Sequence, residues 1–137
     1  KLKAHILERL NGVETWVQEA RKILPGVLSA WQEKLAARLR EALAETADDR
    51  ISQEFALFLQ KSDVEEELSR LAAHAVEVRR ILEKGGATGK RLDFLMQEMH
   101  REANTLGSKS VSTETTRISI ELKVLIEQMR EQIQNIE

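Results

Sequence analysis

Cysteine and tyrosine are both absent from this 137-residue chain. Without cysteine there is no disulfide, no thiolate-ligated zinc and no thiol nucleophile. Aromatic residues make up only 4%, which argues against modules that stack several bases on an aromatic sheet. One proline and six glycines leave few places to interrupt a helix. No apolar run nears the ~20 residues that span a bilayer, and no secretory hydrophobic region opens the chain. A cytoplasmic protein without a membrane partner is the expectation. Charge of one sign is also lacking: 21 Lys and Arg against 23 Asp and Glu give a net charge of −2. There is no global basic field to hold nucleic acid, so any such role must rest on a local patch or a bound cation.

What remains is rich in Ala, Leu, Glu, Lys, Arg and Gln, the strong helix formers. Ile6, Leu10, Val13, Val17, Ala20 and Leu24 alternate steps of four and three in a heptad-like seam. Pro25-Gly26 then predicts a break or turn, followed by a second helix with Leu28, Trp31, Leu35, Leu39 and Ala42 inward. Together these predict an antiparallel hairpin over residues 1–49. From Arg50 the pattern restarts, with Ile51, Phe55, Phe58 and Leu59 suggesting a short helix. Ser62 or Asp63 can cap the next one, which carries Glu65, Glu66 and Glu67 in its first turn. Its seam is Val64, Leu68, Leu71, Ala75, Val78 and Leu82, ending at Gly85-Gly86. Thr88 reads as the N-cap of a helix over 89–106, and a last helix runs from about Thr116. Its predicted seam is Ile118, Leu122, Leu125, Met129, Gln132 and Ile136. No strand pattern survives. The expected fold is all-α: a hairpin plus an antiparallel helical bundle with coiled-coil-like seams.

Gly85-Gly86-Ala87-Thr88-Gly89-Lys90 superficially suggests a phosphate loop. Its glycine spacing is one short, Arg91 replaces the magnesium-binding hydroxyl, and no strand precedes it, so it reads as a linker. Residues 89–110 are more informative. Leu92, Leu95, Met96, Met99, Ala103 and Leu106 form one apolar stripe, and Glu98, Arg101, Glu102, Thr105 and Lys109 form a charged line beside it. The i, i+4 carboxylates Glu98 and Glu102 suit a hard divalent cation, which could stabilise phosphodiester cleavage. Arg101 and Lys109 could meet the phosphate. The same spacing equally makes a solvated salt-bridge face, and spacing alone does not choose. Phe94 projects beside the line. Glu67, Arg70 and His74 flank the preceding seam, and an imidazole there can carry protons or ligate metal.

The segment GKRLDFLMQEMHREANTLGSKS, preceded by DVEEELSRLAAHAVEVRRIL and followed by IELKVLIEQMREQIQNIE, resembles the C-terminal domain of the YicC family of bacterial proteins. The likeness covers about residues 49–137 strongly and the hairpin more loosely. It implies a divalent-metal-dependent endoribonuclease acting on small or single-stranded RNA, assembled as a homo-oligomeric ring, a hexamer in the full-length protein. DNA is not an expected partner. It also implies an N-terminal domain outside this chain, to which residues 1–49 connect, with 50–137 as the C-terminal helical domain. By motif, Glu66, Glu67, Arg70, His74, Glu98, Arg101, Glu102, Asn104, Thr105, Ser108 and Lys109 become the functional set. The expected catalytic residues are His74, Glu98, Arg101 and Glu102. Glu98, Glu102, Glu67 and His74 are expected to hold Mg²⁺ or Mn²⁺. RNA would be bound by Arg70, Arg101, Asn104, Thr105, Ser108 and Lys109. His74 is the candidate general acid or base, because histidine ordinarily titrates near pH 6.5. His100 stands where the family more usually has asparagine, off the charged line. A second expectation is a non-catalytic oligomerisation and RNA-docking scaffold, with the charged line as a salt-bridge network.

Overall fold

The computed structural model describes residues 2–42, 63–86, 88–110 and 112–135. They form four helices: α1 (Leu2–Ala42), α2 (Glu65–Lys84), α3 (Gly89–Ser108) and α4 (Thr113–Gln134). There is no strand among the described residues. The fold is an all-α bundle. The short helix expected around Ile51–Leu59, and the inward placement of Leu39, Ala42 and Ile136, fall outside what the structure describes.

Each helix buries one stripe. Ile6, Leu10, Val13, Val17 and Ala20 of α1 join Leu68, Leu71, Ala75 and Val78 of α2 in a single core. Leu92, Met96, Met99, Ala103 and Leu106 of α3, and Ile118, Leu122, Ile126, Met129 and Ile133 of α4, complete it. α1 packs against α2 and α4, and α3 packs against the same two helices on the other side. Cross-helix bonds fix the directions. Arg79 donates to Asn11 Oδ1 at 2.7 Å, while Arg21 meets Glu65 Oε1 at 3.1 Å. Higher numbers on α2 thus meet lower ones on α1, and the two run antiparallel. Ser119 Oγ donates to the Ala103 carbonyl at 2.7 Å while Arg130 pairs with Asp93 at 3.5 Å, so higher numbers on α4 meet lower ones on α3 and these two are antiparallel as well. The bundle alternates up and down throughout.

The hairpin expected at Pro25-Gly26 is corrected: α1 continues through Pro25 as one helix of 41 residues. Proline in a helix costs roughly 3 kcal/mol, through a lost N–H bond and a ring clash. Here Pro25 is exposed, so water can serve the carbonyl it leaves unpaired. Ile23 and Leu24 before it pack on the core, and Leu28 after it lines a small cavity with Val64 and Leu106. Apolar contact on both sides keeps the axis going where local propensity alone would break it.

The other boundaries are local. Gly85 and Gly86 have φ of 76° and 93°, left-handed values that stop α2 and suit glycine. Asp63 Oδ1 accepts from Glu65 N at 3.3 Å at the start of α2. Thr88 occupies the N-cap position of α3 as expected, but its side chain makes no capping bond. α4 begins three residues earlier than expected, because Ser112 Oγ caps it by accepting from Thr115 N at 3.1 Å. Its seam also differs. Ile126 and Ile133 are buried, while Leu125 and Gln132 are half-buried. At Gly107 a Cβ would sit 2.5 Å from Ser119 Oγ, so the missing side chain is what lets α3 and α4 approach there.

Candidate functional site

The apolar stripe of α3 must face the core, so its neighbouring charged line is turned toward α2. Lys109 Nζ, at the end of α3, donates to Glu67 Oε1 at 3.3 Å, Glu67 Oε2 at 3.1 Å and the Asp63 carbonyl at 3.1 Å. Those three bonds use all three ammonium donors. Arg70 Nη1 donates to Glu102 Oε1 at 3.2 Å, and its Nη2 to Glu66. Arg91 Nη2 and Arg80 Nε share Glu77, at 3.0 and 3.1 Å. These contacts form a ladder between two antiparallel helices: 67, 70 and 77 on α2 meet 109, 102 and 91 on α3.

Burial separates the rungs into kinds. Glu67 and Glu102 are only 4% and 5% exposed, and each lies against a cation at that depth. Loss of a buried carboxylate's partner is costly, whereas a surface pair is worth little. The bond to Glu102, followed by the charges of Glu66 and Glu102, holds the Arg70 guanidinium more firmly protonated than an ordinary arginine. Glu77 is held below the usual carboxylate range, first by its bond from Arg80 and then by Arg91.

One turn beyond Arg70 on α2 is His74, and one turn back from Glu102 on α3 is Glu98. The ladder's register therefore puts them at the same level. Both are half-buried, and neither has a hydrogen bond or ion pair to another described residue. Arg101 is exposed beside them and is likewise without such a partner among the described residues.

The expected site residues are thus divided. Glu66, Glu67, Arg70, His74, Glu98, Arg101 and Glu102 share the α2–α3 face. Thr105 is half-buried on the same flank, and its carbonyl accepts from Ser108 Oγ at 2.9 Å. Asn104 lies on the opposite flank, accepting from Lys123 of α4 at 3.4 Å. Lys109 is committed to the start of α2, with no donor left over for a phosphate. Among the described residues no three histidine or acidic side chains are grouped to hold a metal ion. Of the four residues expected to do so, Glu67 and Glu102 already neutralise Lys109 and Arg70. A hard divalent cation needs several free oxygens, so this donor set does not fit a self-contained Mg²⁺ or Mn²⁺ site. Phe94, beside the charged line, is 58% exposed.

The family model described as "Endoribonuclease YicC-like, C-terminal" matches residues 17–137. A probable endoribonuclease YicC from Haemophilus influenzae is 47% identical over 137 residues, covering 100% of this chain and 48% of that protein. Another from Clostridioides difficile is 36% identical over 140 aligned positions, with the same two coverages. The chain spans about half the length of these curated relatives. No helix among the described residues is long and apolar enough to cross a membrane.

Proposed function

This chain belongs to the YicC-like endoribonuclease family, and from that premise we propose that its α2–α3 face takes part in cleaving RNA phosphodiester bonds. The observation that carries the reading is the His74–Glu98 level of the ladder. Above and below it the acids are paired with bases; at this level an imidazole and a carboxylate are half-buried and unpartnered among the described residues. His74 is the acid–base group: in its neutral form it takes the proton of the attacking hydroxyl as the new P–O bond forms, and as imidazolium it gives that proton to the oxygen departing from phosphorus as the old P–O bond breaks. Glu98, at the same level on α3, stabilises the imidazole once it is charged. Arg101 and the remaining donors of Arg70 hold the phosphate oxygens. Glu67, Glu102 and Lys109 keep the two helices in register rather than touching substrate.

The Mg²⁺ or Mn²⁺ dependence expected from the resemblance would then need ligands beyond this chain's described residues. A second reading, the RNA-docking scaffold, is favoured by the buried Glu67–Lys109 and Glu102–Arg70 pairs. The full-length protein with His74→Gln or Glu98→Gln separates the two. With a small single-stranded RNA, each variant should lower cleavage by about 10²- to 10⁴-fold while the assembly keeps its mass. Cleavage at the wild-type rate in an intact assembly would rule out the catalytic role. Parallel reactions with Mn²⁺ and with a chelator report the metal requirement.

A further inference from the structure

Phe94 does nothing for the core. It is 58% exposed, although the helix it stands on buries six other apolar side chains in one stripe. Trp16 and Trp31 are half-buried, so Phe94 is the exposed aromatic side chain among the described residues. Its surroundings are polar. On its own helix flank stand Arg91 one turn before, Glu98 one turn after and Arg101 two turns after. Arg91 is 63% exposed at its side chain. A second copy of the chain would find a single ring ringed by charge, a poor match for an interface core. A nucleic-acid strand would find a π-face between two guanidinium groups, Arg101 and an Arg91 whose Nη2 is bonded to Glu77.

We propose that Phe94 is a base-stacking platform that restricts the substrate to unpaired RNA at the His74–Glu98 level. This rests on the RNA-cleaving reading of that level and adds the residue that would read an unpaired base. Arg91 and Arg101 are ten residues apart, about 15 Å along the helix. That distance equals about four nucleotides at the 3.4 Å spacing of a stacked strand. The two arginines thus reach phosphates on either side of a base lying on the ring. In a duplex every base face is already covered by its neighbours, so the ring has nothing to receive. The His74–Glu98 level, one turn along, then lies beside the backbone next to the captured base.

The test uses the full-length protein in a His74→Gln background, so that the probe survives, and reads anisotropy of a labelled oligouridine. Phe94→Ala should weaken binding about tenfold, and Phe94→Trp should restore it. An oligonucleotide with abasic positions, and an RNA duplex held through phosphates alone, should not distinguish the variants. Unchanged oligouridine affinity in Phe94→Ala overturns the proposal. So does an altered assembly mass with unaltered affinity, which would make the ring a contact between copies. Should wild-type protein fail to cut oligouridine while binding still depends on Phe94, the platform stands and the nuclease reading falls.

Discussion

Glu77 shows how individual charges on the α2–α3 face report on pH. Its bonds from Arg80 and Arg91 depress its folded-state pKa below the ordinary value of 4.5. A depressed carboxylate contributes stability that is fully present above the unfolded value and is lost as pH falls through the folded one. Glu77→Gln should therefore be slightly less stable than wild type in urea at pH 7. The two should converge once the pH drops well below 4.5, and high salt should narrow the gap at neutral pH. At this scale much was legible in the sequence. The line Glu98, Arg101, Glu102, Thr105 and Lys109 is evident on a helical wheel, but a wheel shows one helix. It cannot reveal that Glu67 already neutralises Lys109, or that Arg70 occupies Glu102. Two carboxylates at i, i+4 look like a metal pair until the opposite helix supplies their cation.

Among the elements, α2 and α3 are joined at one end by Gly85-Gly86 and at the other by Lys109. With three acceptors on a single ammonium, Lys109 ties the last turn of α3 to the first turn of α2. Lys109→Met should lower stability by roughly 2–3 kcal/mol, because it leaves the Glu67 carboxylate buried and unpaired. Adding Glu67→Gln should recover most of that loss, a non-additivity that chemical denaturation of both variants would measure. Element identity was readable because amphipathic periodicity is strong. Two details were not. The heptad reading of α4 put Leu125 and Gln132 on the seam; Leu125 does pack against the core from its edge, but the helix buries Ile126 and Ile133 more fully, since a 3.5-residue template drifts around a helix of 3.6. Pro25 predicted a turn because its local cost is known, while the packing of Ile23, Leu24 and Leu28 that outweighs it is tertiary.

Among the described residues the four helices close a ring in which every neighbour is antiparallel, with α1 against α4 as the seam between the elements farthest apart in the chain. The all-α class follows from composition and patterning, since the apolar residues recur at helical spacing and no strand pattern competes. That α1 belongs to this core was hidden by the proline. The closure has a kinetic corollary. Contacts of α2 with α3 and of α3 with α4 span short stretches of chain, whereas those of α1 with α4 span much of its length, and distant contacts cost more entropy to form. Of these four helices the one synthesised first is thus the one completed last: the part of its apolar seam that faces α4 stays open on the ribosome until α4 has emerged. Pulse-labelling by hydrogen exchange during refolding should show amides of Leu10–Val17 protected after those of Leu95–Leu106. Simultaneous protection would mean that the ring closes in one step.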